Sequence, residues 1–157
     1  MSKRIISVSL SEDSIAEAIR TLENYKRELT DKVASLVEAL TDHGVEIAKA
    51  QVRALGASYT GELEDSITGY FSPTVGVGVI KAGAPYAVYV EFGTGVVGES
   101  KPHPKAGDFW EYDINEHGES GWVYYNNRDQ KWHWTKGIES RPFMYNTVQI
   151  LERESVR

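Results

Sequence analysis

Apolar side chains recur at Ile15, Ile19, Leu22, Leu29, Val33, Leu36, Leu40, Ile47 and Ala54, a 3-4 heptad stripe broken only by Lys26, His43 and the small Ala50. This spacing predicts a single helix over residues 11–55, about 65 Å long at 1.5 Å per residue. Ser9 and Glu12 have capping-box spacing ahead of it, and Gly56 after Leu55 offers a left-handed stop. A small domain cannot cover a stripe of that length unaided. Most of it is expected to lie across the protein's own sheet, with a bend at Gly44, and one end to pack on a neighbouring subunit.

Downstream the period shortens to two. Leu63, Ile67 and Phe71 fall on one face of an alternating segment, and Val75, Val77 and Val79 on one face of the next, predicting adjacent antiparallel strands joined near Ser72-Pro73. Gly76 and Gly78 occupy the opposite face of the second strand, which leaves room for a close neighbour. They do not form a dinucleotide fingerprint, because the third glycine comes only at Gly83 and no helix start follows. Residues 86–92 fit either a strand or a short helix by pattern alone.

Residues 93–139 form an excursion. Within it the runs 121–125 (GWVYY) and 131–135 (KWHWT) flank a polar stretch, 126–130, in a strong hairpin signal. Trp122 and Tyr124 share one face, as do Trp132 and Trp134, while His133 points to the face opposite those two tryptophans. Residues 143–156 read as a closing helix with Pro142 near its first turn and Phe143, Val148 and Leu151 or Ile150 on the buried side. The fold class expected is α+β: a long N-terminal helix and a C-terminal helix packed on a small, mainly antiparallel sheet, with an aromatic hairpin inserted. The whole of 1–157 is expected to be a single domain, divided into a long helix (11–55), a sheet and short helix (60–92), a loop and hairpin insertion (93–139) and a C-terminal helix (142–156).

Composition narrows the function. The 157 residues contain no cysteine, so a disulfide framework and a thiolate metal site are both excluded. No stretch of about 18 apolar residues marks a membrane span and no signal peptide is visible, so the expectation is a soluble protein. The net charge is −6, and residues 61–100 hold a single basic residue, Lys81, against five acids. Residues 101–141 are mixed, with six basic and seven acidic side chains. A phosphate-gripping surface, and with it sequence-specific nucleic-acid binding, is not expected.

Chemistry-bearing residues are sparse. The four histidines, His43, His103, His117 and His133, lack ligand spacing, although His103, His117 and Asp113 could converge on zinc from a distance. No nucleophile elbow is present. Glu91 stands between Val90 and Phe92 in an apolar run. A structural role is favoured for it, accepting hydrogen bonds from the turn 93–95 or pairing with Lys136 or Arg141. The hairpin is the candidate interface, because Trp122, Tyr124, Tyr125, Arg128, Trp132 and Trp134 are of the types that dominate interface hot spots.

Three segments, 60–67 (TGELEDSI), 86–95 (YAVYVEFGTG) and 140–147 (SRPFMYNT), contain Gly61, Glu91, Phe92, Gly93, Thr94, Arg141, Pro142 and Phe143. In order and spacing they resemble the head-tail joining family of long-tailed bacteriophages, also called neck or tail-completion proteins, over most of residues 10–155. The resemblance implies a short helix at 86–92 and a non-enzymatic virion component of a phage or prophage, made in the host cytoplasm. It implies a homo-oligomeric ring, commonly of six subunits, at the head-tail junction, with other neck and tail proteins as partners, DNA passing through and no cofactor. The insertion between Gly95 and Ser140 departs from the simplest pattern, so tail-completion, tail-terminator and head-closure roles all stay open. The competing classes are a metal-dependent hydrolase using His103, His117 and His133, and a cytoplasmic oligomeric adaptor.

Overall fold

A computed structural model describes residues 8–108, 110–112, 120–126 and 129–155. Its longest element, α1, is one continuous helix, Glu12–Ala54. The cap is Ser11 rather than Ser9: its backbone is extended and its hydroxyl accepts from Ser14 N at 3.4 Å, while Ser9 N donates back to the Ser14 hydroxyl at 3.0 Å. Gly56, in the left-handed region, turns the chain away after the C-terminal end.

A short helix α2 (Glu62–Asp65) takes Leu63 out of the expected strand and buries it completely. Strands β1 (Ile67–Ser72) and β2 (Val77–Ala82) then form an antiparallel hairpin pairing Ile67 with Ala82 and Ser72 with Val77. The inner face of this pair carries Ile67, Gly69, Phe71, Gly78, Ile80 and Ala82 and lies on the C-terminal part of α1; the outer face carries Tyr70, Val77 and Val79, all exposed. Helices α3 (Ala87–Phe92) and α4 (Gly95–Ser100) follow, then a turn of 3-10 helix, Ala106–Asp108. A second hairpin, β3 (Trp122–Asn126) and β4 (Lys131–Thr135), precedes α5 (Phe143–Ser155), which packs along α1. The architecture is α+β, with two separate two-stranded sheets among the described residues.

The core face of α1 departs from the heptad stripe. The buried positions are Thr41, Gly44, Ala48 and Val52, one residue and hence about 100° around the helix from Leu40, His43 and Ile47. Small side chains win here because two elements must approach at once. A Cβ on Gly44 would overlap Ile80 and crowd Leu151, and one on Gly78 would overlap Thr41. The Thr41 hydroxyl is satisfied within the helix, donating to Val37 O at 2.7 Å. Gly44 is therefore a packing contact in an unbroken helix, not the site of a break.

The expectation that most of the stripe packs on the protein's own sheet is overturned. Ile15, Ile19, Leu22, Leu29, Val33 and Leu36 are all exposed, because α1 runs on past the body that holds its C-terminal third. On α5 the buried face is Phe143 and Thr147, with Leu151 facing Gly44, and Val148 is exposed instead of buried. The i, i+4 row from Phe143 meets α1 and excludes Val148. Among the described residues no helix is long and apolar enough to cross a membrane.

Candidate functional site

Buried on α3, Glu91 aims its carboxylate at the start of α5. Its Oε2 accepts from Met144 N and its Oε1 from Tyr145 N, each at 2.9 Å. These amides sit in the first turn of α5, where backbone donors have no partner inside the helix and the helix dipole favours negative charge. A carboxylate from 53 residues earlier thus does the work of a cap. Oε1 also meets His103 Nε2 at 3.1 Å, and His103 Nδ1 accepts from Lys105 N at 3.0 Å. An accepting Nδ1 leaves the proton on Nε2, so a neutral imidazole donates to the carboxylate.

The two motif segments are laced along their backbones as well. Arg141 N donates to Val90 O at 2.9 Å, and the Ser140 hydroxyl donates to Glu91 O at 2.7 Å. Thr94 and Ile138 exchange both backbone hydrogen bonds, at 2.9 and 3.2 Å. Gly93 lies between these contacts with φ of 80°, and a Cβ there would come within 2.8 Å of Ser140 N and Ile138 O. Only glycine meets both conditions without strain. The Arg141 guanidinium reaches Gly56 O at 2.6 Å, tying the junction to the end of α1, and Phe143 fills the core beneath at 0% exposure. Pro142 precedes the helix, its carbonyl accepting from Asn146 N at 3.0 Å.

Phe92 stacks on Trp110 with ring centres 5.0 Å apart and lies 4.3 Å from the His103 ring. The Tyr112 hydroxyl donates to Phe92 O at 2.9 Å and accepts from His103 N at 3.1 Å. Gly61, also left-handed, stands at the start of α2, its N–H donating to the Ser58 hydroxyl at 3.0 Å.

Glu91 therefore takes neither partner expected of it: its donors are the α5 amides and His103, not the turn 93–95, Lys136 or Arg141. His103 has both ring nitrogens engaged within the chain. His133 bonds Asp129 at 2.6 Å and stacks on Tyr124 at 5.6 Å, and His43 bonds Glu154 at 2.7 Å. Asp113 and His117 of the candidate zinc set lie outside the described residues, as does Arg128. Among the described residues no cluster of three metal-ligating side chains is found. The role of His103 was invisible to sequence reasoning, since its distance from Glu91 along the chain has no helical or strand period. Its place between Pro102 and Pro104 was the nearest thing to a signal.

The second hairpin groups its aromatic residues by face as the alternation predicts. Its register sets Tyr125 opposite Trp132 and Val123 opposite Trp134, so these four form one face, while Trp122, Tyr124 and His133 form the other. The first face is open: Trp132 is 70% and Trp134 58% exposed. The Trp134 indole donates to Ser120 O at 2.8 Å, and the Lys136 ammonium lies 5.7 Å from its ring centre. On the second face Trp122 and Tyr124 line an open cleft of about 970 Å³ together with Tyr59 and Tyr86, and Tyr124 is 45% exposed. Burial, and then the charge of Glu62, push the Tyr86 phenol above its usual value.

Compared with known families, residues 16–93 match the HK97-gp10_like model, described as "Bacteriophage HK97-gp10, putative tail-component". The match runs from the first turns of α1 through the β1–β2 hairpin to the end of α3, and stops where the excursion begins. No curated protein and no solved structure matches the chain.

Proposed function

From the premise that residues 16–93 belong to the HK97-gp10-like family of phage tail components, we propose that this protein is a non-enzymatic tail-completion or neck subunit assembling as a ring at the head-tail junction. The observation that carries the reading is the span of the match, which takes in all of α1 but its first four residues, the β1–β2 hairpin and α3. The long exposed stripe on α1 and the open Trp132/Trp134 face supply surfaces for subunit and partner contacts. Six subunits is the expected number, with tail and neck proteins bound axially and DNA passing through an acidic annulus. Trp122, Tyr124, Tyr125, Arg128, Trp132 and Trp134 are assigned to partner contact. Gly61, Glu91, Phe92, Gly93, Thr94, Arg141, Pro142 and Phe143 are assigned to holding the scaffold from which the hairpin projects.

Negative-stain microscopy of the purified protein, alone and with a tail-tube partner, tests this. Rings are expected in at least the second sample, and a chain that stays monomeric in both refutes the ring. Trp132→Ala with Trp134→Ala is expected to abolish partner capture while leaving the fold intact.

A further inference from the structure

Between Ile15 and Leu36, seven large side chains on α1 (the stripe together with Tyr25) are 43–58% exposed. An amphipathic helix owes most of its stability to the packing of its apolar face, so this arm needs a neighbour. We infer that the neighbour is the same segment of a second copy, paired as a parallel two-stranded coiled coil.

The identity of the residues carries the inference. Taking Ile15 as position d, the a positions are Ile19, Lys26 and Val33, and the d positions Ile15, Leu22, Leu29 and Leu36. β-Branched residues at a with leucine at d favour two parallel strands, and a single lysine at an a position fixes register and strand number at some cost in stability. The period agrees. The arm repeats strictly every 3.5 residues, the signature of a left-handed supercoil, whereas the face that packs on the body, Thr41, Gly44, Ala48 and Val52, has the wider 3-4-4 spacing of a straight helix. A seam meant for a sheet would have kept the second spacing.

Area and geometry permit the pairing. At the exposures given, the seven side chains offer roughly 700 Å² per copy, or about 1,400 Å² for a pair, within the range of specific interfaces. Because α1 runs on past the body, and the body packs about 100° around the helix from the seam, the body does not stand over the seam. The flanking e and g positions, among them Ala18, Glu23, Tyr25, Thr30 and Lys32, place no like charges against one another in parallel register. This pairing goes beyond the ring reading, and it constrains it: an in-register pair has its own two-fold axis, so a six-subunit ring that contains it is built from three pairs.

The chain contains no cysteine, which makes the test clean. Leu29→Cys in the full chain is expected to form an interchain disulfide on mild oxidation, since d positions face each other only in the parallel register. Sedimentation equilibrium should give the wild type twice the chain mass or an even multiple, and Leu29→Glu should lose the pair while near-ultraviolet circular dichroism from the body persists. Lys26→Ile should raise the thermal midpoint and let higher-strand species appear. A monomeric wild type, an assembly indifferent to Leu29→Glu, or a Leu29→Cys protein that stays uncrosslinked while assembled would each overturn the proposal.

Discussion

The two ends of α1 share one helix and one heptad pattern, yet they are used in opposite ways. From Thr41 to Val52 the helix is the spine of the body, and what it buries is small: threonine, glycine, alanine and valine. From Ile15 to Leu36 it carries the larger apolar residues and buries none of them. Where a sheet and a second helix must both come close, bulk at the contact is a liability, and Gly44 and Gly78 let the backbones approach. Where a single partner helix is to be met, bulk at regular spacing is what fills the holes. Hydrophobic content alone therefore misplaces the core of this protein.

Substitutions at the two ends should separate these uses. The largest effect is expected from Phe143→Ala: the ring is fully buried against the body end of α1, and its loss should cost about 3–5 kcal/mol in urea unfolding. Glu91→Ala comes next. It strands the Met144 and Tyr145 amides and the His103 N–H, for a loss of about 2–3 kcal/mol, and Glu91→Gln should recover part of it because an amide oxygen still accepts. Gly93→Ala adds a side chain at positive φ against the returning backbone and should cost about 1–3 kcal/mol, read as a lowered thermal midpoint. Leu22→Ser on the arm, measured in dilute monomeric protein, should change stability by less than about 0.5 kcal/mol. A large loss there would mean that the arm folds back onto its own body and would erase the contrast.

The smallest effect is a pH dependence at the excursion. A hydrogen bond from the Lys101 ammonium, and then its charge, hold the exposed Glu139 carboxyl below its usual value of 4.5. A lowered carboxylate value means stability that is complete above that pH and fades as acid protonates the group. Lys101→Ala should therefore unfold marginally earlier than wild type at neutral pH and indistinguishably from it at pH values well below 4.5.

Much of this was legible locally. The long helix shows in its period, both hairpins in their turn residues and alternation, and the closing helix in its Arg-Pro start, because each signal spans only a few residues. Three things were not. Leu63 alternates with Ile67 as strand residues do, but Gly61 in the left-handed region starts a helical turn that takes it. The tryptophans of the second hairpin share a motif but not a face, since the pairing of Asn126 with Lys131 sets which residues oppose one another. Glu91 was conspicuous as a carboxylate in an apolar run, but its partners, His103 and the amides of α5, are brought to it by the packing of α3 against a helix that begins 52 residues later.

By itself, then, the sequence determined the inventory: a helix too long for its own domain, two hairpins, a closing helix, and two apolar segments bracketing an aromatic excursion. Periodicity and turn chemistry are properties of neighbouring residues and need no fold to be read. Only the tertiary structure decided which face of α1 is core, which carboxylate caps which helix, and which tryptophans are left open. Those outcomes depend on how closely two backbones approach and on which groups remain unsatisfied when they do.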